Sequence, residues 1–293
     1  MPVKRAVIPA LGLGRRLYPI TKSQPKEMLP LGRKPAIHVV VEELINAGIE
    51  DICIVTSHSK QAIEDHFDLA ADGDAGLPGG ELFPPALRQG RVHIYYVRQP
   101  MPNGLGNSLL QAEGFVGDEP FVVACGDTVL SGPNGPVRLI SRMVDVMDNT
   151  AGDAVLAVRR VPKSEVSHHA IVKSFGPVEG KPHFMVEDII DQPPVDEAPS
   201  DIAVVGRYVL QPIIFDYLKE LPRTATGELR LPEALRRVVH TRESVWAAMM
   251  KPGEGPFDVD NFLQYSRAFI RFSLNDPEVG LSVREYMQEL MGN

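Results

Sequence analysis

The chain has 293 residues, 44% hydrophobic and 23% charged, with a formal net charge of −8. It is long enough to bury a large core without covalent staples, and its acidic balance argues against broad nucleic-acid binding, which needs a basic face. Its only two cysteines, Cys53 and Cys125, lie in apolar runs, which argues for buried reduced thiols and a cytoplasmic setting and against a disulfide framework.

The first apolar run, Arg5 to Ala10, reads as a buried strand ending in a glycine loop. It is too short and too glycine-rich for a signal peptide, and no run of about twenty apolar residues offers a membrane span. Pro35 then opens a helix: Ile37, Val40, Val41, Leu44 and Ile45 share one face, and Gly48 supplies the stop. Asp51 to Thr56 is the next strand, and Ser59 is placed to cap the helix after it. Residues 70–90, rich in Gly, Ala and Pro, read as a surface insertion. Val92 to Val97 is a third strand, Gly106 to Phe115 a helix, and Pro120 to Asp127 a fourth strand ending at a carboxylate. Four strand-like runs follow from Asp153: DAVLAV, AIVKSF, FMVEDII and AVVGRYVL. The tail returns to helices at Pro212–Leu221 and Pro232–Thr241, with two more after Asp260. Strands alternating with helices predict an α/β fold whose mostly parallel central sheet is covered on both faces. Ligands of such sheets sit beyond the carboxyl ends of the strands, where Gly12, Gly14 and Asp127 fall.

The loop ALGLGRRLYPITKSQPKEMLP carries the strongest chemical signal. Two glycines allow a phosphate to approach the backbone, free N–H groups form an anion-binding concavity, and Arg15, Arg16, Lys22 and Lys26 add positive charge. It lacks the third glycine of a dinucleotide fingerprint and the ending of a Walker A loop, so composition alone leaves open an ordinary strand-to-helix turn with solvated basic residues. Asp127, at a strand tip, suits a magnesium ligand or a turn former. The eight histidines show no metal-ligand spacing; the adjacent His168 and His169 would point to opposite sides of a strand.

The stretch GLGRRLYPITKSQPK resembles the signature of nucleoside-diphosphate-sugar pyrophosphorylases, G-x-G-T-R-x-x-P-x-T-x-x-x-P-K. The segments EMLPLGRKPAIHVVVEELINAGIEDICIVTSHSKQAIEDHFD, YVRQPMPNGLGNSLLQA and IAVVGRYVL resemble the bacterial UTP–glucose-1-phosphate uridylyltransferase branch. The resemblance covers nearly the whole chain and is interrupted mainly at 70–90. It implies a Rossmann-like nucleotidyltransferase fold in a single domain over 1–293, with a nucleotide-binding half to about 150 and a sugar-binding part with a helical tail beyond. It further implies magnesium-dependent uridylyl transfer from UTP to glucose 1-phosphate, giving UDP-glucose and pyrophosphate, in a homo-oligomer, dimer or tetramer. By position in the motifs, Arg16 and Lys26 would be catalytic and Asp127 and Asp258 would hold Mg²⁺. Ala10, Leu11, Gly12, Gly14, Gln99 and Gly104 would bind the nucleotide, and Ala170, Glu187, Gln192 and Glu228 the sugar phosphate.

Four departures from the family pattern, five residues in all, touch the proposed site. Arg15 replaces a threonine, Gln192 a lysine, His169 and Ala170 a Tyr-Gly pair, and Asp260 a glycine. Gln192 can hydrogen-bond a phosphate but cannot neutralise it. The departures leave open a catalytically impaired paralogue that binds nucleotide or modulates an active enzyme. They equally leave open the same reaction on another sugar 1-phosphate or with dTTP.

Overall fold

A β-rich sheet flanked by helices organises the chain; the computed structural model describes residues 2–68, 83–101, 103–133, 136–242 and 244–292. The elements, in order, are β1 (Arg5–Pro9), β2 (Pro30–Leu31), β3 (Lys34–Pro35), α1 (Ala36–Asn46), β4 (Asp51–Thr56), α2 (Gln61–Phe67), α3 (Pro85–Arg88), β5 (His93–Arg98), α4 (Leu105–Gln111), α5 (Glu113–Val116), β6 (Phe121–Ala124) and β7 (Thr128–Ser131). There follow α6 (Leu139–Thr150), β8 (Ala154–Arg160), β9 (Ala170–Ser174), β10 (His183–Asp191), β11 (Ile202–Leu210), α7 (Ile214–Glu220), α8 (Leu231–Arg242), β12 (Val245–Met249), β13 (Gly255–Asp258), α9 (Phe262–Leu274) and α10 (Gly280–Gly292).

The main sheet has the order β5-β4-β1-β6-β11-β8-β12-β10-β9. All its strands run the same way except β10 and β11. The strands are therefore mostly parallel in direction, although the pairings on either side of β10 and β11 are antiparallel. Strand β9 also pairs with β11, through Ile171 and Ala203, so β11, β8, β12, β10 and β9 close into a ring.

Alternation along the strands separates two cores. On one face Ala6, Ile8, Ile52 and Ile54 pack with Val40 and Leu44 of α1 and Met143 of α6. On the other, Val7, Cys53, Val123 and Leu156 pack with Leu109 of α4, Phe215 of α7 and Leu235 of α8. Burial pushes both thiols, Cys53 and Cys125, up to about 12.

Several predicted boundaries shift. Ser59 does not cap α2, which starts from Lys60 with no side-chain cap; Lys60 is committed elsewhere, as shown below. The predicted helix at Gly106–Phe115 is two short helices meeting at Ala112. Strand β6 stops at Ala124, so Asp127 stands in the tight turn before β7 and not on the strand itself. His168 ends a short helical turn and His169 precedes β9, so neither lies on a strand. Of the predicted insertion at 70–90, residues 70–82 lie outside the described residues, and the rest contains α3.

Candidate active site

The loop after β1 folds back on itself. Gly14 has φ +62°, its carbonyl accepts from Leu17 N–H at 2.9 Å and from the Thr21 hydroxyl at 2.7 Å, and Arg15 and Arg16 follow on a short helical turn. Ala10 N–H is still held by Val55 of β4 at 3.0 Å. Beyond it, the N–H groups of Leu11, Gly12, Leu13 and Gly14 donate to no protein acceptor among the described residues. Successive free donors at the end of a parallel strand are what an anion-binding loop requires.

Lys26 crosses this loop. A Cβ on Gly12 would sit 2.6 Å from Lys26 Cε and 2.7 Å from Nζ, so the glycine is what lets the lysine pass. Although Lys26 is 5% exposed, its ammonium reaches Asp127 at 2.5 Å and Asp260 at 3.0 Å. Burial alone would lower the Lys26 pKa, but Asp127 and Asp260 outweigh it and hold the ammonium above the ordinary lysine value. Burial likewise pushes Asp127 up, and the adjacent Lys26 more than reverses it, holding the carboxyl below its usual range. Arg16 lies at the mouth and donates to the other oxygen of Asp260 at 3.2 Å. Arg15, where the family pattern has threonine, carries no ion pair among the described residues.

Beneath the loop is a second, buried pair. Lys60 donates to Glu27 at 2.6 Å and to the Gly12 carbonyl at 2.7 Å, with both side chains almost fully enclosed. A buried charge needs such a partner. Neither residue stood out in the sequence; the only available signal was the adjacency of Glu27 to Lys26.

Asp127 is fixed from three directions. Gly126 N–H donates to Pro9 of β1 at 3.2 Å, Cys125 N–H to Gly206 of β11 at 2.9 Å, and Val259 N–H to the Asp127 carbonyl at 2.9 Å. The small β7–β13 ladder then sets Asp258 opposite Thr128, whose hydroxyl donates to it at 2.8 Å. Burial, together with the charge of Asp127, raises the Asp258 pKa despite that bond. Asp127 and Asp258 are thus neighbouring carboxylates, and the charge of the first disfavours the anion of the second. No cluster of three or more metal-ligating side chains occurs among the described residues. This donor set fits magnesium, which takes one or two carboxylates and completes its shell with phosphate oxygens and water.

Gln99, after β5, is 1% exposed. Its Oε1 accepts from Ser108 at 3.0 Å, while its Nε2 is buried without a partner. Gly104, at φ +88°, is closely packed against a neighbouring segment. A Cβ there would meet the Leu229 carbonyl at 2.6 Å. Leu229 N–H donates to Asn103 and its carbonyl accepts from Gly106, each at 2.9 Å, so the segment carrying Glu228 is laced to the start of α4.

The ring of strands presents Ala170, Asp191 and Gln192 together: Ala170 pairs with Asp191, and Gln192 N–H donates to His169 at 3.0 Å. Gln192 holds φ +50° and is exposed. Arg230 lies between Asp191, at 3.1 Å, and Glu228, at 3.7 Å. Glu187 is not drawn into this group; it pairs with Lys173 of β9. The predicted residues thus fall into three groups: the glycine loop with Lys26 and the aspartates, Gln99 with Gly104, and Ala170, Gln192 and Glu228.

The nucleotidyl transferase family model matches residues 5–269. The chain belongs to the nucleotidyl transferase family. This nucleotidyl transferase is 38% identical over 294 residues to a UTP–glucose-1-phosphate uridylyltransferase of Bacillus subtilis, the match covering 99% of this chain and 96% of that protein. A UTP-bound UGPase of Acinetobacter baumannii superposes with a TM-score of 0.84 at 34% identity, covering 98% of this chain and 99% of that one. A UDP-glucose pyrophosphorylase complexed with UDP-glucose superposes with a TM-score of 0.82 at 30% identity, covering 94% and 100%.

Proposed function

We propose that this nucleotidyl transferase moves the uridylyl group of UTP to glucose 1-phosphate. An oxygen of the sugar phosphate attacks the α-phosphorus of UTP, the bond from that phosphorus to the bridging oxygen of the β-phosphate breaks, and pyrophosphate leaves. The products are UDP-glucose and pyrophosphate. The full-length likeness to uridylyltransferases supports the substrates. The observation that carries the chemistry is Lys26, a buried ammonium threaded over Gly12 onto Asp127 beside the free N–H groups of the loop.

The N–H groups of Leu11, Gly12 and Gly14, next to Ala10, cradle the phosphates. Lys26 neutralises charge as it builds between the α-phosphate and the leaving group, and Arg16 holds the outer phosphates. Asp127 and Asp258 would hold Mg²⁺, which when bound neutralises phosphate oxygens and aligns them for in-line attack. The unpartnered Gln99 amide donates to a carbonyl of the uracil edge, with Gly104 closing that pocket. Ala170, Gln192 and Glu228 bind the sugar phosphate. The protein adds no covalent step; positioning and preset charge lower the barrier. The homo-oligomeric state and the cytoplasmic setting belong to this reading too, on the strength of the family resemblance alone.

The test is pyrophosphate release from UTP plus glucose 1-phosphate with Mg²⁺, in wild type and Asp127→Asn. Turnover in wild type that falls by at least a hundredfold in the variant, about 2.7 kcal/mol or more of barrier, is the expected result. Absence of turnover in wild type would overturn the reading and leave a nucleotide-binding paralogue in its place.

A further inference from the structure

Both cations assigned to the triphosphate share one carboxylate. Asp260 Oδ1 lies 3.0 Å from Lys26 Nζ, and Oδ2 lies 3.2 Å from Arg16 Nη1. The rest of the neighbourhood fixes the Asp260 backbone. On one side Val259 is fully buried and its N–H is bonded to the Asp127 carbonyl. On the other, the Asn261 side chain caps α9 by accepting from Gln264 N–H at 3.0 Å. The carboxylate is therefore held out between two cations by a rigid segment and does not reach them by chance from a loose loop.

The anion cradle of Leu11 to Gly14 opens beside the same cations. A polyphosphate entering that cradle brings its own negative oxygens to Arg16 and Lys26. It cannot pair fully with them while a carboxylate bridges them. The Arg16 side chain is 76% exposed and that of Asp260 36%, so their contact is weak in water and readily exchanged. Lys26, held by Asp127 as well, stays in place when Asp260 lets go.

We infer that Asp260 is an internal stand-in for the triphosphate: it pre-orients Arg16 and Lys26 in the empty enzyme, yields them to the nucleotide, and takes them back as pyrophosphate leaves. The residue thereby sets nucleotide and pyrophosphate affinity through the two cations and touches no reacting atom itself. This rests on the reading that Arg16 and Lys26 hold the triphosphate. It leads to a different expectation from a third metal ligand, whose removal would weaken nucleotide binding.

The experiment is calorimetric titration of UTP, and separately of pyrophosphate, into wild type, Asp260→Asn, Asp260→Ala and Asp260→Glu, all with Mg²⁺. Melting temperatures of all four establish that they fold. The expected result is roughly three- to tenfold tighter binding of both ligands in the Asn and Ala variants, with Glu near wild type. In steady state the KM for UTP falls while the KM for glucose 1-phosphate is unmoved. Weaker or unchanged UTP binding in the folded Asn and Ala variants would overturn the inference. Because the readout is binding, wild type that binds UTP without turnover sinks the proposed reaction alone. Wild type that binds no UTP sinks both.

Discussion

Gly12 and Lys26 are the residues on which the chemistry turns, and they are coupled by contact. The close approach at Gly12 is to the far end of a flexible side chain and not to backbone. In Gly12→Ala the fold is therefore expected to survive while the ammonium is pushed off Asp127. Turnover should fall by about a hundredfold or more, the 2.7–4 kcal/mol typical of one lost charge-stabilising group, with a melting temperature near wild type. Lys26→Ala should cost as much, and the double variant little more, because both changes remove one interaction. Steady-state pyrophosphate release on the three variants checks this; additive losses would mean that Gly12 acts apart from Lys26. At this scale much of the site was legible, because Gly12, Lys26, Gln99 and Asp127 stand in motifs with fixed spacing. What was not legible is pairing across the fold. Lys60 reads as a helix-start residue, yet it ends under the loop on Glu27. Asp260 reads only as a departure from a pattern, and its two partners lie more than two hundred residues away.

Among the elements, β11 carries the most weight for the site. Arg207, fully enclosed, donates to Glu43 of α1 at 2.8 Å, to the Thr128 carbonyl at 2.7 Å and to the Cys125 carbonyl at 3.3 Å. It thus ties a helix, a sheet strand and the turn that bears Asp127. Arg207→Met would leave Glu43 buried and unpaired, a loss of roughly 3–5 kcal/mol. Removing the partner as well, in Arg207→Met/Glu43→Leu, should recover part of that. Urea unfolding of both variants measures the difference, and a double variant no more stable than the single one would count against a charge penalty. The run containing Arg207 was legible as a strand, but not as one running against its neighbours, since a buried strand looks apolar in either direction. Strands β1 and β4 and helices α1 and α8 were legible from unbroken periodicity. Strand β12, helix α6 and the β7–β13 ladder escaped notice: β12 and β13 are short, and Pro256 breaks the pattern of β13.

The folded molecule as a whole should feel pH in part through a histidine pair between α1 and α2. His66 of α2 lies 3.0 Å from His38 of α1, and both pack against Phe67 and Phe83. His38 in turn faces Glu42 at 3.6 Å, and Lys34 pairs with Glu42. Burial, with the charge of His38, pushes the His66 pKa down from 6.5 to about 4. The unfolded chain therefore binds a proton at this position between those values while the native state does not, so stability falls as pH drops from 6.5 toward 4 and this contribution levels off below. His66 keeps some contact with solvent, which screens part of the penalty, and a loss on the order of 2 kcal/mol is expected. Other groups contribute with either sign, and burial lowers the His169 pKa as well, so it too loses stability as pH falls below 6.5. Glu27 and Asp258 are raised and gain stability as pH falls, while Glu42, Asp188 and Glu254 are lowered and lose theirs only below the ordinary carboxylate value. The difference between the unfolding free energies of wild type and His66→Asn, measured by denaturant from pH 7.5 to 4.5, isolates the histidine. Above pH 6.5 that difference should be constant, and below it should shift steadily against wild type. A difference that stays flat across the whole range would mean that His66 is free to protonate in the folded protein.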